Sequence, residues 1–418
     1  MTAYHTVSAN PVAANRYAMS MPITRSKLCA IVCALAILPL SACSTVQHSA
    51  SLEPSEDLGV RLTATADRLI TDERTGALLS DSETHRTALL LSAVDATQQP
   101  PVLVSRQLGT ESYFYPASTI KLFAAVGALL RIQELQAQGV PVDADTPMVF
   151  HPMFDGEQVE ADDDSNIDDG TITVRREIRQ RIIGSGNRAI NTELGFVGRA
   201  DLNAMMHDAG LDSVRVNHRL SIGYSREQNQ RMPRIDLRLA DGTLHIIPDR
   251  TDPPIEPNTG VPRLRVGIAE LSRAERLERP KDFSYSNRVS LEDLRDAAVM
   301  VVRPDVDLGK PGFPLTDDHR ALMIDAMGAL PRESANPAFD PAKYPDDWGK
   351  FMLPGIRRVL DAQQVRVANK IGLAYGFTST TAGIGVDGYP PAVFVTGVIY
   401  TNANGTLNDN VYEYETVA

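Results

Sequence analysis

The sequence predicts an α+β fold, with strands near both ends of the chain and a block of helices between them. Two apolar, branched runs within 87–105 are separated by a polar turn, which is the pattern of a hairpin. Helical patterns follow over 118–208 and resume over 290–330. Three more strand-like runs, joined by short turns that contain glycine, close the chain within 365–401. Strands and helices that are segregated along the chain favour α+β over alternating α/β architecture.

The composition is that of a folded protein. The chain has 418 residues, of which 43% are apolar and 22% are charged, so it can bury one large core or two modest ones. Its formal net charge is −12. This acidic balance argues against nucleic acid and against anionic lipid headgroups as partners.

The N-terminal segment has the order of a secretory signal. Arg25 and Lys27 precede an apolar run, 28–40, that is too short to span a bilayer and is followed by Ser-Ala-Cys43. This ending resembles the bacterial lipobox, which implies cleavage of residues 1–42 and a lipid on the Cys43 thiol. An uncleaved membrane anchor is the alternative.

Both alternatives place the following domain outside the cytoplasmic membrane. We expect a lipid-anchored, periplasm-facing protein that touches the membrane through its anchor only, on the outer membrane if the cell has one. Cleavage would remove Cys29 and Cys33 and leave Cys43 as the single cysteine, so no disulfide could form within the mature chain. It would also remove three bases and no acid, which brings the formal charge to −15.

Local signals predict the individual helices. Residues 43–84 are polar with helix-forming stretches and predict a tether that leads into a first helix. From Ser118 to about Gln138 there is no proline, and apolar groups lie nearly all the way round, which predicts a buried helix. Pro116 suits the start of that helix. Thr173 is the expected N-cap of the next one.

Ser118 and Lys121 are the residues most suited to chemistry. They are three apart at the start of a predicted helix, so both side chains project from one face and can meet. A serine hydroxyl needs a base to take its proton, and a lysine amine can do so if burial or nearby positive charge lowers its pKa. The helix N-terminus can also stabilise an oxyanion. Lysine is scarce in this chain, and only Lys121 has a serine three positions before it.

Three short elements, in order, resemble those of one enzyme superfamily. The run from Tyr115 to Lys121 resembles the Ser-x-x-Lys element of the class A β-lactamases and penicillin-binding proteins. Ser185-Gly186-Asn187, which follows a predicted helix, is similar to their Ser-Asp-Asn element. Lys370-Ile371-Gly372, on a predicted strand, is similar to their Lys-Thr-Gly element. The order and setting of all three indicate this superfamily more strongly than any one of them.

The resemblance implies a β-lactamase/transpeptidase-like fold, in which helices flank an antiparallel sheet, an all-helical lobe packs beside it, and the active site lies in the cleft. It implies a small-molecule or peptidoglycan-type substrate, no cofactor and no metal, and it leaves the oligomeric state open. The residues to which it assigns a role are Ser118 as nucleophile, Lys121 as its base, Ser185 as proton shuttle, Lys370 as electrostatic support, Asn187 and Gly372 as substrate contacts, and Leu373, whose amide would complete the oxyanion hole with that of Ser118.

The same resemblance sets the domain boundaries. The hydrolase domain is expected over 85–405, followed by a C-terminal tail over 406–418. Insertions are expected at about 147–170, 225–285 and 331–350. The second alternates around an Asp-Gly turn at 241–242 and is followed by a proline-rich stretch, which predicts a hairpin plus a loop. The first contains eight acids and no base within 155–169; we expect a solvated loop, with a calcium site as the weaker alternative because Ile167 stands where the turn glycine belongs.

Two departures from the superfamily pattern concern the reaction. Class A enzymes use Glu-x-x-Leu-Asn to activate the deacylating water, and this chain has Asn217-His-Arg-Leu-Ser221 in that place. Ile371 replaces the hydroxyl that helps to hold the substrate carboxylate, and the candidate replacements on the next strand are Thr378, Ser379, Thr380 and Thr381. Gly186 in place of Asp is the mildest change.

Three functions therefore remain open at this point. The first is a serine hydrolase that forms an acyl-enzyme with a β-lactam, a D-Ala-D-Ala-type peptide or a related amide or ester. The second is a true β-lactamase whose deacylating group comes from the insertion, with Glu227 and Glu270 as candidates. The third is a non-catalytic lipoprotein that binds an envelope component. His207 and His218 are expected to be surface or core residues, since no Ser-His-Asp order or zinc spacing is present.

Overall fold

The computed structural model describes residues 55–110, 112–157, 171–272, 275–360 and 364–414. The signal segment, Cys43 and most of the acidic loop lie outside these ranges, so the lipid anchor and the calcium alternative stay predictions. Within the described ranges, no helix is both long enough and apolar enough to cross a membrane.

The described chain is mixed α and β, as the sequence predicts. The helices are α1 (Ser55–Thr71), α2 (Glu73–Ser80), α3 (Ser82–His85), α4 (Lys121–Ala137), α5 (Val174–Ile182), α6 (Asn187–Val197), α7 (Arg199–Asp208), α8 (Arg226–Asn229), α9 (Leu291–Val302), α10 (Asp317–Gly328) and α11 (Leu353–Ile356), with 3-10 turns at Ala117–Ile120 and Pro331–Glu333. The strands are β1 (Ala88–Asp95), β2 (Val102–Gly109), β3 (Met148–Phe150), β4 (Arg231–Met232), β5 (Ile235–Arg238), β6 (Leu244–Ile247), β7 (Arg250–Thr251), β8 (Arg265–Val266), β9 (Ala269–Ser272), β10 (Glu275–Leu277), β11 (Lys281–Asp282), β12 (Val365–Ala374), β13 (Phe377–Val386), β14 (Val393–Tyr400) and β15 (Thr406–Leu407).

A five-stranded antiparallel sheet in the order β12-β13-β14-β1-β2 forms the centre. The predicted N-terminal hairpin and the three predicted C-terminal strands therefore meet in one sheet, because β1 pairs with β14. Strand β12 is at one edge, and its pairing with β13 runs without a bulge from Val365 opposite Val386 to Ala374 opposite Phe377. This unbroken register fixes which face each β12 side chain occupies.

The two faces of the sheet pack against different helices. Leu89 and Leu91 face α1, whose Leu62 and Leu69 are buried against them. On the other face, Phe377 and the rest of the larger core pack with α4 and α9. Each fully buried leucine contributes roughly 1.5–3 kcal/mol through the hydrophobic effect. The predicted fold class, an antiparallel sheet flanked by helices with an additional helical lobe, is confirmed.

The helical lobe forms around α4, whose side chains are buried nearly all the way round. Helices α5, α6 and α7 pack against it. The predicted N-cap is present, since Thr173 Oγ1 accepts a hydrogen bond from the amide of Arg176 at 3.2 Å. The cap determines where α5 starts, and Ser185 lies three residues after α5 ends.

Within the segment predicted as a tether and first helix, 43–84, the helices begin at Ser55, and α1 packs on the sheet because its apolar stripe covers β1 and β2. Two expectations need correction. Ser118 lies in a 3-10 turn, and the α-helix begins only at Lys121. The predicted tail contains β15, which pairs in parallel with β9.

The insertions are ordered where the structure describes them. The predicted hairpin turns at Asp241 and Gly242 between β5 and β6, and β3 from the first insertion adds to its edge. Arg86 connects the second insertion to the core through hydrogen bonds. Its buried guanidinium donates to the carbonyls of Tyr113 and Arg263 at 2.9 Å and of Arg265 at 3.3 Å.

Candidate active site

The turn that carries Ser118 is held from both sides. The carbonyl of Pro116 accepts hydrogen bonds from Thr119 Oγ1 at 2.7 Å and from Ser379 Oγ on β13 at 3.1 Å. Ala117 has a φ of 49°, a strained value for a residue with a side chain. Ser118 is partly exposed, whereas the other residues of the turn and Lys121 are buried. The turn therefore presents one hydroxyl to solvent from a rigid support.

Gly372 of β12 lies directly against this turn. A Cβ atom at this position would be 2.4 Å from the Pro116 carbonyl oxygen and 2.8 Å from the Ser118 amide nitrogen. Only glycine lets the strand approach so closely. The third sequence element thus places the backbone of β12 beside the amide of Ser118.

The free edge of β12 points its alternate backbone groups outward. Lys350 Nζ, which belongs to no strand, donates to the Val367 carbonyl at 2.8 Å, so Val367 is one of the residues whose backbone groups face away from β13. In an antiparallel ladder this direction repeats every second residue. Leu373 is six residues after Val367 in the unbroken register, so its backbone groups face the same way. Its amide, one residue after Gly372, is therefore directed away from β13.

The Lys121 side chain is fully buried and ends at the second sequence element. Its amine donates to the Ser185 carbonyl and, at 2.7 Å, to Asn187 Oδ1, and Ser185 Oγ is 3.4 Å away. Burial holds the pKa of Lys121 well below its usual value, and the positive charges of Lys370 and Arg181 lower it further. A neutral amine has two N–H groups and one lone pair. The two shorter of its three hydrogen bonds, to the Ser185 carbonyl and to Asn187 Oδ1, can use both N–H groups, which leaves the lone pair for a proton.

Ser185 lies between two amines. Lys370 Nζ donates to Ser185 Oγ at 3.0 Å, and Lys121 Nζ is 3.4 Å from the same oxygen. Burial lowers the pKa of Lys370 to about 7, and the like charges of Lys350 and Arg181 contribute. Ser185 has a φ of 63°, which turns its hydroxyl and its carbonyl toward these amines. A hydroxyl that contacts both amines can pass a proton between them.

Of the residues with a predicted role, the structure brings Lys121, Ser185, Asn187 and Lys370 into direct contact. Ser118 joins them through the backbone, since the Lys121 amide donates to its carbonyl, and through the approach of Gly372. Leu373 follows on the same strand.

Two cationic side chains near the site were not anticipated. Arg181 forms a fully buried ion pair with Glu193 beneath the lysines. Lys350, also buried, donates to the carbonyls of Met327 and Val367 and to Asn369 Oδ1 at 3.0 Å. The scarcity of lysine could have drawn attention to Lys350. No local pattern marks Arg181, because its partner lies on another helix.

The four hydroxyl residues of β13 named as candidates beside Ile371 differ in position and accessibility. Ile371 lies on the face of β12 opposite that of Lys370 and Gly372, because side chains alternate along a strand. Ser379 is committed to Pro116, and Thr381 shares a hydrogen bond with Thr396 at 2.9 Å. Thr380 is directly opposite Ile371 and half-buried. Of the four candidates, Thr380 alone is both beside Ile371 and partly accessible.

The segment in place of the deacylating glutamate has a structural role at its start. The Asn217 amide nitrogen donates to Asn287 Oδ1 at 2.7 Å, and its side chain donates to the Ser286 carbonyl at 3.2 Å. His218 Nδ1 is bonded to the Arg219 carbonyl, and its ring stacks on Tyr115. The chain then reaches Ser221, whose Oγ accepts a hydrogen bond from Asn187 Nδ2 at 2.7 Å.

The two carboxylates suggested as alternatives are engaged within the insertion. Glu227 accepts a hydrogen bond from Ser225 Oγ at 2.9 Å, and the group is fully exposed. Glu270 pairs with Arg279 at 3.1 Å and with Lys281 at 3.6 Å. Neither contact connects these carboxylates to Lys121.

Comparisons with known proteins give little beyond this geometry. No protein-family model matches the chain, and no curated protein matches it. A solved structure that is similar to it is a β-lactamase from Desulfarculus baarsii, at 16% sequence identity and a TM-score of 0.46, covering 83% of this chain and 91% of that one. At this level the likeness supports no statement about activity.

Proposed function

We propose that the protein is a serine hydrolase that forms an acyl-enzyme at Ser118. The observation that carries the proposal is the buried amine of Lys121, held by Ser185 and Asn187 one turn after a partly exposed serine. Burial and two neighbouring cations favour its neutral form, which is the form that can act as a base at neutral pH.

The positions of the groups support the following first half-reaction. Ser118 Oγ attacks the substrate carbonyl and its proton passes to Lys121. The carbonyl oxygen becomes an oxyanion between the amides of Ser118 and Leu373. As the bond to the leaving group breaks, Ser185 Oγ gives it a proton and recovers one from the Lys121 ammonium. Lys370 stabilises the negative charge that develops at Ser185.

The substrate class proposed is a β-lactam, a D-Ala-D-Ala-type peptide or a related amide or ester. The test is intact-mass measurement of the purified protein incubated with a penicillin, with a fluorophosphonate and with p-nitrophenyl esters, followed over time. An adduct that is lost in Ser118→Ala supports the proposal. If folded protein forms no adduct with any of the three probes, the proposal is wrong.

Two further functions are distinguished by the same measurements. A true β-lactamase would show multiple-turnover hydrolysis of nitrocefin that Ser118→Ala abolishes. A non-catalytic envelope-binding protein would form no adduct, and its cellular phenotype would survive Ser118→Ala. The departures at Asn217 and Ile371 are what favour keeping these alternatives.

We also propose that the protein is anchored in the cell envelope by a lipid on Cys43. The basis is the Leu-Ser-Ala-Cys43 sequence after a short apolar run. Metabolic labelling with radioactive palmitate should mark the wild-type protein and should not mark Cys43→Ala. Equal labelling of both would contradict the anchor.

A further inference from the structure

A hydroxyl outside the three sequence elements is connected to the Lys121 amine by a short chain of hydrogen bonds. Asn187 uses both ends of its side-chain amide. Its Oδ1 accepts from Lys121 Nζ and its Nδ2 donates to Ser221 Oγ, both at 2.7 Å. Because Ser221 Oγ is the acceptor from Asn187, its own proton is available for another oxygen.

Backbone strain points to the same residue. Ser221 has a φ of 57°, although it is neither glycine nor asparagine. Within the part of the chain that the structure describes, three other residues near the site have a positive φ. Ala117 precedes Ser118, and Ser185 contacts Lys121. Tyr375 is two residues after Leu373. Strained residues of this kind persist where surrounding structure holds them, and they cluster at functional sites.

The loop is held so that the Ser221 hydroxyl has a fixed position. Leu220, the residue before Ser221, forms two hydrogen bonds with the Asn191 side chain. Asn191 accepts from the Leu220 amide and donates to the Leu220 carbonyl, both at 2.9 Å. One residue earlier, the Arg219 amide donates to Asn229 Oδ1 at 2.9 Å. Ser221 itself is exposed, so its hydroxyl faces solvent from a rigid backbone.

Among the residues that the structure describes, no carboxylate is among the groups that shift the pKa of Lys121. The charged groups that shift its pKa are Lys370 and Arg181, both cations. Glu193, the acid beneath the site, is fully buried in its pair with Arg181. The Lys121 amine is therefore the group that can accept a proton from a water molecule. That water also needs a hydrogen-bond partner that holds it beside Lys121.

We infer that Ser221 holds the water that releases the acyl group, with Lys121 as the base. This inference rests on the proposed function. Ser221 Oγ donates a hydrogen bond to the water oxygen. The water attacks the ester carbonyl at Ser118 and passes one proton to Lys121 Nζ. The tetrahedral intermediate then expels Ser118 Oγ, which takes that proton back, and the acyl group leaves as a carboxylic acid.

Two variants separate the hydroxyl from the backbone strain. Ser221→Gly removes the hydroxyl and suits the positive φ, whereas Ser221→Ala removes the hydroxyl and keeps the strain. Ser225→Ala is the matched control, because the Ser225 hydroxyl contacts only its own helix cap and Glu227. Acylation by a fluorescent penicillin and by a p-nitrophenyl ester, and loss of the adduct, are followed by stopped flow and intact mass.

We expect wild type and all three variants to be acylated at rates within about threefold of one another, since Ser221 takes no part in the first step. Release should slow about 10- to 100-fold in both Ser221 variants and remain unchanged in Ser225→Ala.

Release of the Ser221→Gly adduct at the wild-type rate would overturn the inference, as would a wild-type adduct that persists for hours. Slowed release in Glu227→Gln or Glu270→Gln, with normal release in Ser221→Gly, would instead assign the step to a carboxylate of the insertion and overturn the inference. Failure of wild-type protein to form any adduct is a different result, because it contradicts the proposed function itself.

Discussion

The amine of Lys121 donates a hydrogen bond to Asn187 Oδ1 across 2.7 Å, although the two residues are 66 positions apart in the chain. This contact joins the first predicted sequence element to the second. It also turns the Lys121 amine away from solvent, into a setting where burial and two cations favour the neutral base.

Replacing the base should stop acylation without unfolding the protein. Lys121→Arg keeps a cation that cannot lose its proton at neutral pH, so the acylation rate should fall roughly 10²- to 10⁴-fold. Lys343→Met, at an exposed lysine, is the control and should react normally. The measurement is stopped-flow acylation by a fluorescent penicillin, with circular dichroism to verify folding. Normal acylation of Lys121→Arg would remove Lys121 from the mechanism.

Gly372→Ala should damage the site while leaving most of the fold intact. The new Cβ would lie 2.4 Å from the Pro116 carbonyl oxygen and 2.8 Å from the Ser118 amide, and both are backbone atoms that cannot rotate away. We expect acylation to slow by about 10²-fold or more, because the turn must move relative to β12. Gly328→Ala is the matched control, since its Cβ would meet nothing within 4 Å. Equal rates in both variants would show that the close approach is unimportant.

The buried Lys350 should make stability depend on pH in a defined direction. Burial lowers its pKa from 10.5 to about 7. Between these values the unfolded chain binds a proton that the folded chain does not, so the free energy of unfolding rises with pH. The unfolding free energy of wild type should therefore rise, relative to that of Lys350→Met, by up to about 1.4 kcal/mol for each pH unit in this window. In Lys350→Met, Lys370 also loses a like-charged neighbour, so its pKa moves back toward its ordinary value. The stability of the variant then depends less on pH, which widens the same difference from wild type.

The check is urea unfolding of both proteins at about pH 7.5 and about pH 9. Lys343→Met serves again as the exposed control and should track wild type. A difference between wild type and Lys350→Met that stays constant with pH would mean that Lys350 is protonated throughout, held charged by its three oxygen acceptors.

Arg86 should determine whether the second insertion stays docked. Lysine can replace its charge but cannot reach the three carbonyls that the guanidinium contacts on two segments. Arg86→Lys should lose about 2 kcal/mol or more in unfolding free energy, because buried acceptors are left unpaired. Limited proteolysis should cut first near Arg263 and Arg265. Arg106→Met, at an exposed arginine of β2, should change neither measurement.

The sequence predicted features that depend on neighbouring residues. The hairpin of β1 and β2, the N-cap at Thr173 and the buried character of α4 are local patterns, and the structure confirms them. The turn of the insertion hairpin at Gly242 was equally local. The α-helix begins at Lys121, three residues later than the sequence predicts, because a single 3-10 turn at a helix N-terminus is too short to show a period of its own in the apolar pattern.

What the tertiary structure decided is where distant groups meet. Lys370 reaches Ser185 over 185 positions, and Arg181, Lys350 and Ser221 join the site although no motif marks them. Their pKa shifts arise from burial and from charges on other elements, which no local pattern encodes. The sequence determined the strands, the helices and the order of the three elements. Packing determined which amines became buried beside one another, and so which groups can exchange a proton.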